Sequence, residues 1–171
     1  MHEFDFLFVV AEIAVAFTGF AGLVAVLARR ADRCLEHERL DSSRLESALS
    51  ISLLTAGFAL FPDLPIQLGL SPEHAFRLAS VCFLLVSAPL FFRFTVLQVA
   101  QYRKAKVDLP ISYLANSAIY FCHLIILGLC ASGLIDGKYY LVAVFLLLYI
   151  SATGFLRVFV SLAQSNLASV K

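Results

Sequence analysis

Residues 139–163 read YYLVAVFLLLYISATGFLRVFVSLA, with Arg157 as their single charged side chain. A helix of this length crosses the ~30 Å hydrocarbon core of a bilayer. The run does not alternate apolar and polar residues as the strands of a membrane barrel do, so a helix is the expected structure. This segment therefore predicts a transmembrane helix and decides the class of the fold.

The remainder of the chain repeats this apolar pattern. It is 61% hydrophobic and 15% charged, whereas soluble domains are roughly 45–50% apolar and about 25% charged. Further windows of spanning length lie at residues 6–28, 45–70, 76–100 and 112–135. We therefore predict an all-α integral membrane protein, in which residues 1–171 form a single bundle of five transmembrane helices in a lipid bilayer.

The second window is compatible with two structures, because it is interrupted by Phe61-Pro62-Asp63-Leu64-Pro65. Proline within a helix either kinks it or ends it. If Pro62 ends the helix, the bundle has four complete spans plus a broken or re-entrant segment. Upstream, residues 43–46 read SRLE, a capping-box pattern that predicts the start of the second helix.

Basic residues are concentrated in two predicted connections, residues 29–44 and 101–111. The first holds five arginines, and the second holds Arg103, Lys104 and Lys106. Short connections rich in lysine and arginine stay on the cytoplasmic side of a membrane. With five spans both connections lie on one side, which predicts an N-terminus outside and a cytoplasmic C-terminus.

The first predicted helix has faces of different composition at ~100° per residue. Glu12, Ala16 and Gly19 share one face. Roughly opposite, small side chains recur at spacings of three and four residues and form a stripe that a second subunit or another helix of the same chain can approach closely. The members of this small-residue stripe are Ala11, Ala14, Thr18, Ala21 and Ala25.

Ionisable side chains inside the predicted spans are the candidates for an ion pathway. Glu12 lies about two turns inside the outer boundary, where a carboxylate costs several kcal/mol unless it is paired or hydrated. We predict a pathway lined by Glu12 with Ala16 and Gly19, and by Asp63 and His123. Asp63 could instead be a solvated loop acid after Pro62. His123 could be neutral and hydrogen-bonded across helices rather than titrating as a gate.

Arginines form a second candidate group at the cytoplasmic side. Arg93 and Arg157 lie in the inner parts of their spans, and Arg157 shares a helical face with Thr153 and Ser161. Together with Arg29, Arg30 and Arg33, they are predicted to line an inner mouth or to contact a ligand. The alternatives are that Arg93 and Arg157 snorkel to the headgroups and that the others only fix topology.

The sequence lacks the motifs of common catalytic and cofactor sites. It has no glycine-rich phosphate loop, nucleophile elbow, HExxH helix or paired CxxC. Its four cysteines have neither disulfide nor metal-site spacing. We therefore expect no catalytic residues, metal or cofactor, and no enzymatic activity.

The leading functional prediction is a homo-oligomeric membrane channel or pore that conducts ions. One small subunit can hardly enclose a hydrated path alone, and small-residue faces favour association between helices. Two alternatives stay open. A non-conducting membrane anchor would assemble a partner protein through the same stripe, and a small membrane enzyme or carrier would take an apolar substrate.

The end of the first span, Gly19-Phe20-Ala21-Gly22-Leu23-Val24-Ala25-Val26-Leu27-Ala28-Arg29-Arg30, resembles small multi-span bacterial membrane proteins. A plan of compact spans with a basic cytoplasmic segment is similar to that of the membrane effectors of bacterial anti-phage defence systems such as Hailong. The resemblance is architectural and assigns no site residues. It implies a channel in the bacterial inner (plasma) membrane that is controlled by a cytoplasmic nucleotide or oligonucleotide.

Overall fold

The computed structural model describes the backbone of residues 2–30, 35–105 and 111–168. Within these it describes the side chains of residues 5–20, 22–23, 47–100, 102–104, 111, 113–157 and 159–160. The described backbone contains helices and no strand, so the predicted all-α class is confirmed. The helices are α1 (His2–Arg30), α2 (Leu35–Leu60), α3 (Asp63–Gln67), α4 (Pro72–Ala105), α5 (Ile111–Ser132) and α6 (Tyr139–Ala168).

Four stretches of the described residues are long and apolar enough to cross a membrane. They are Ser47–Gln67, Pro72–Lys104, Tyr113–Ser132 and Tyr139–Arg157. Length and composition thus support the predicted transmembrane helical bundle. The remaining predicted window, residues 6–28, lies within the continuous helix α1, and its passage through a bilayer stays a prediction.

The stretch Ser47–Gln67 is a helix broken at Pro62, and the number of complete spans stays a prediction. α2 ends at Leu60, and the short helix α3 begins at Asp63. A proline at position 62 has no N–H to donate to the carbonyl of Phe58, one helical turn earlier. The hydroxyl of Tyr140 in α6 donates to that carbonyl instead, at 2.5 Å. A side chain of the neighbouring helix therefore replaces the backbone hydrogen bond lost at the proline.

The start of α2 differs from the sequence prediction. α2 begins at Leu35, well before the capping box predicted at residues 43–46, so most of the predicted connection 29–44 is helical. In the sequence, Glu36 and Arg39, and Asp41 and Arg44, are opposite charges three residues apart, a spacing that favours a helix. α4 begins at Pro72, four residues before the predicted window 76–100, with the proline and Glu73 in its first turn.

α6 lies between α2 and α5, and α4 packs on the other side of α5. Each of these neighbours is antiparallel to the next. The contacts that fix these directions are Tyr140–Phe58 and Ser151–Ala48 between α6 and α2, His123–Ala143 and Asn116–Thr153 between α5 and α6, and Tyr120–Ser87 between α5 and α4. α1 packs along α2 and also contacts α6.

The bundle has two ends of different chemistry. We call the end that carries the connections 61–71 and 133–138 the turn end, and the end at which α4 finishes with Arg103 and Lys104 the basic end. The predicted orientation places the turn end outside the membrane and the basic end in the cytoplasm.

At the turn end, α5 closes with a glycine in the left-handed conformation. Gly133 has a φ of 73°. Its N–H bonds to the carbonyl of Cys130, and the N–H of Leu134 bonds to that of Leu129, as in a Schellman motif. A Cβ at position 133 would lie 2.9 Å from Cζ of Arg77. The left-handed backbone conformation therefore favours glycine there, whereas the guanidinium of Arg77 ends a flexible, exposed side chain that can move aside.

Candidate functional site

The two faces of α1 have opposite surroundings, as the sequence predicts. Ala11 and Ala14 of the small-residue stripe are buried in the bundle core, whereas Glu12, Ala16 and Gly19 are exposed. The described part of the stripe therefore packs within the chain. Ala11 and Ala14 consequently have no surface left with which to contact a second subunit.

Thr18 is the third described member of the stripe, and its hydroxyl donates to the carbonyl of Ala14 at 2.9 Å. This bond satisfies the hydroxyl within its own helix. The side chains of Ala21, Ala25, Arg29 and Arg30, and the whole of Arg33, lie outside the described residues.

The contacts of α1 with α6 give the depth of Glu12 along the bundle. Phe17 and Phe20 of α1 pack on Phe155 of α6, with ring centroids 6.2 and 5.1 Å apart. α1 and α6 run in the same direction, because each is antiparallel to α2. With the equal rise of both helices, Glu12 lies at about the level of Leu148, roughly two and a half turns from the start of α6 at the turn end. No hydrogen bond or ion pair joins Glu12 to another described side chain.

Asp63 lies apart from Glu12, at the turn end. It is the first residue of α3, and its half-buried carboxylate accepts a hydrogen bond from the amide of Gln67. An acid in the first turn also interacts favourably with the helix dipole. Asp63 thus has a local structural role at the end of the second span.

His123 is fully buried between α4, α5 and α6. Its Nδ1 donates to the carbonyl of Ala143 at 2.8 Å, and Nε2 has no partner among the described residues. The rings of Phe83 and Tyr120 meet the imidazole edge to face, with centroids 5.0 and 5.4 Å away. The structure therefore separates His123 from the exposed face of Glu12, Ala16 and Gly19, and the predicted pathway residues do not share one surface of the chain.

An open cleft lies toward the basic end. All four helices of the α2–α6–α5–α4 arc contribute to it. The described residues that line the cleft are Ser47, Ala48 and Ile51 of α2, Phe91, Phe94, Thr95, Gln98 and Tyr102 of α4, Tyr113, Asn116, Ser117 and Tyr120 of α5, and Ile150, Gly154 and Arg157 of α6.

The cleft contains polar groups at a depth where the helices are otherwise apolar. Nδ2 of Asn116 donates to the hydroxyl of Thr153 at 3.1 Å, which joins α5 to α6 beside the cleft. Arg157 is half-buried and is the only charged side chain among the described lining residues. The hydroxyl of Tyr113 is buried and has no hydrogen-bond partner among the described residues. This arrangement can bind a compact anion.

Of the predicted arginines, only Arg157 lies in the cleft within the described part of the chain. Arg93 is exposed on α4 and does not line it. The polar residues of α4 were not among the predicted site residues, although their spacing in the sequence indicates a shared face. Thr95, Gln98 and Tyr102 recur at spacings of three and four, so they form one polar face in an apolar helix.

The described residues contain no group of three or more histidine, cysteine, aspartate and glutamate side chains placed to hold a metal ion. Comparison of the chain with protein-family models, curated proteins and solved structures gives no match.

Proposed function

We propose that the protein is a homo-oligomeric ion channel of the bacterial inner membrane, with Glu12 lining the ion path between subunits. The observation that carries this proposal is the exposure of Glu12 on α1, more than two helical turns from the turn end. Apolar side chains surround it on that surface, including Phe8, Val9 and Val15.

A carboxylate in this position is costly in lipid. A charged side chain near the bilayer centre costs at least about 2.5 kcal/mol, and such residues face water, a partner or a bundle interior. In an oligomer whose subunits turn the face of Glu12 toward a common axis, a water-filled path along that axis hydrates the Glu12 carboxylate of every subunit. Acidic side chains repeated around a path favour cations over anions. The predicted conducted species is therefore a cation.

The core of one subunit is an unsuitable route for ions. Phe83, Tyr140 and His123 are fully buried there, and their rings lie 5.0 to 6.0 Å apart. Aromatic side chains packed in this way leave no room for a hydrated ion. This closure supports a path between subunits rather than through one. Control by a cytoplasmic nucleotide or oligonucleotide stays a prediction from the architectural resemblance.

Gly19→Leu tests the interface without disturbing the subunit. A Cβ at position 19 meets no atom within 4 Å, so the fold of one chain accommodates leucine. A second subunit packed on this face does not. We expect at least about tenfold weaker association, measured by analytical ultracentrifugation in detergent.

Gly57→Leu is the matched control, because Gly57 is an exposed helical glycine of α2 with equally open surroundings. It is expected to leave association unchanged. Equal association of wild type and the Gly19→Leu variant, or a wild type that is monomeric in detergent and in liposomes, would overturn the proposal.

Glu12→Gln tests the ion path. In liposome flux and planar-bilayer recordings, we expect the variant to lose cation selectivity, because the amide has similar size without the charge. Glu73→Gln is the control, since Glu73 is an exposed acid at the turn end that pairs with Arg77 at 2.6 Å. Unchanged conductance and selectivity of the Glu12→Gln channel would remove Glu12 from the path.

A further inference from the structure

The cleft at the basic end opens between α2 and α4. These helices meet near the turn end, where Phe58 and Phe83 stack with ring centroids 4.1 Å apart. Farther along, α2 and α4 form opposite walls of the cleft while α5 and α6 form its back. Pro89 lies in α4 between Phe83 and the first lining residue of that helix, Phe91. Proline weakens a helix where it occurs and permits a change of direction.

The two kinds of lining residue correspond to the two parts of an amphiphile. Phe91, Phe94 and Ile51 provide apolar walls toward the middle of the bundle, while Arg157, Tyr113 and Gln98 provide polar groups toward the basic end. In the predicted orientation, the polar groups face the cytoplasmic headgroup region. A molecule with an apolar chain and an anionic head would satisfy both parts at once.

We infer that this cleft is a binding site for one phospholipid of the leaflet at the basic end. The guanidinium of Arg157 binds its phosphate, and an acyl chain lies in the gap between α2 and α4. Guanidinium matches the geometry of phosphate oxygens and forms short, charge-assisted hydrogen bonds with them. The inference does not depend on the proposed channel, because it concerns a single subunit and does not involve the Glu12 face.

The hydroxyl of Tyr113 supplies a second, independent observation. It belongs to a cleft-lining residue and is buried without a partner among the described residues. A buried hydroxyl that makes no hydrogen bond is unfavourable, and a shift of this ring on binding would let a phosphate or glycerol oxygen in the cleft accept from it. The described lining residues include Arg157 and no acid. Arg157 already interacts within the chain, but the five N–H donors of a guanidinium suffice for a phosphate as well.

The experiment measures binding to the purified full-length protein by native mass spectrometry with three probes. Dioleoylphosphatidylglycerol carries both parts of the ligand, dioleoylglycerol lacks the phosphate, and glycerol 3-phosphate lacks the acyl chains. We expect one saturable phosphatidylglycerol per chain, bound at least about tenfold more tightly than dioleoylglycerol. Glycerol 3-phosphate should not displace it. Displacement by glycerol 3-phosphate at comparable concentration, or equal binding of the two lipids, would overturn the inference.

Variants locate the phosphate. Arg157→Gln should remove the preference for the phospholipid, and Arg157→Lys should retain part of it, because lysine keeps the charge without the planar fork. Tyr113→Phe should weaken binding several-fold. Arg93→Gln is the matched control, since Arg93 is an exposed arginine outside the cleft. Equal loss of binding in Arg157→Gln and Arg93→Gln would show general attraction to arginines and refute the site.

A loss of fold must be kept apart from a loss of binding. Arg157→Gln is expected to melt within a few degrees of wild type in detergent without added phospholipid. Added phosphatidylglycerol should then raise the melting temperature of wild type and of Arg93→Gln, but not that of Arg157→Gln. A similar rise in all three proteins would count against the site.

Discussion

α2 and α4 pack on each other toward the turn end and leave a cleft between them toward the basic end, where α5 and α6 stay joined to each other and to their neighbours. Near the turn end, Phe83 of α4 stacks on Phe58 and meets His123 and Tyr140 with its edges. Near the basic end, α2 and α4 leave a cleft that contains Arg157. A closed core and an open polar site thus lie within one short bundle, and Pro89 of α4 lies between them.

The difference follows from the side chains that α4 presents. Before Pro89, α4 buries small residues and a large aromatic side chain. Ala75, Ala79 and Ser80 are small, Phe83 is the aromatic residue, and all four are fully buried. Small side chains let helices approach closely, and Phe83 fills the remaining space. After Pro89, polar Thr95 and Gln98 replace them on the inner face. Polar groups resist close apolar packing unless each finds a partner, which favours a hydrated or ligand-filled space.

The largest predicted effect concerns the closed region. Phe83→Ala should destabilise the protein by about 3–5 kcal/mol in reversible unfolding from mixed micelles, because a fully buried ring is replaced by a cavity between three helices. Phe92→Ala is the matched control in the same helix, since its side chain is 66% exposed. Lipid can fill the space left by a surface ring, so this control should lose much less. Similar losses in the two variants would mean that the turn end is not the tightly packed region.

Sequence patterns predicted the helices well because their signals are local. The length of each apolar run and the position of Pro72 and Pro62 depend on the chain itself. The helical period also separated the small-residue stripe of α1 from the face of Glu12, although it left open whether the stripe meets the same chain or a second subunit; Ala11 and Ala14 are buried within the chain. These features require no knowledge of which helices become neighbours.

The site was harder to predict because it depends on contacts between distant segments. His123 and Glu12 share ionisable chemistry, yet one is enclosed by rings and the other lies on the surface. Arg93 and Arg157 also look alike in the sequence, at similar depths in their spans, but only Arg157 lines the cleft. Apolar periodicity cannot separate such pairs in a membrane, because lipid-facing and core-facing side chains are both apolar.

A second prediction compares one hydrogen bond in each region. Ser52 and Ser151 are almost fully buried and bond to each other across α2 and α6, whereas Asn116 and Thr153 are half-buried beside the cleft. Double-mutant cycles with alanine should give about 0.6 kcal/mol of coupling for the serine pair. The Asn116–Thr153 pair should give less, because water in the cleft can replace either partner. A stronger coupling at the cleft would mean that this region is dry.

The smallest effect is expected in the connection that joins α5 to α6 at the turn end. The backbone N–H of Lys138 donates to the carboxylate of Asp136 at 3.1 Å, and the ammonium group of Lys138 lies 3.0 Å from the same carboxylate. The hydrogen bond and the ion pair together hold the pKa of Asp136 below its usual value. A lowered carboxyl pKa adds stability above the ordinary pKa of about 4, and this stability is lost as the pH falls through the lowered value. Both groups are exposed, so solvent screens the interaction. Asp136→Asn should therefore lower the melting temperature by about 1 °C or less at pH 7 and flatten the fall in stability below pH 4. A larger change at pH 7 would show that this exposed turn, rather than the aromatic core beneath it, holds the closed end of the bundle together.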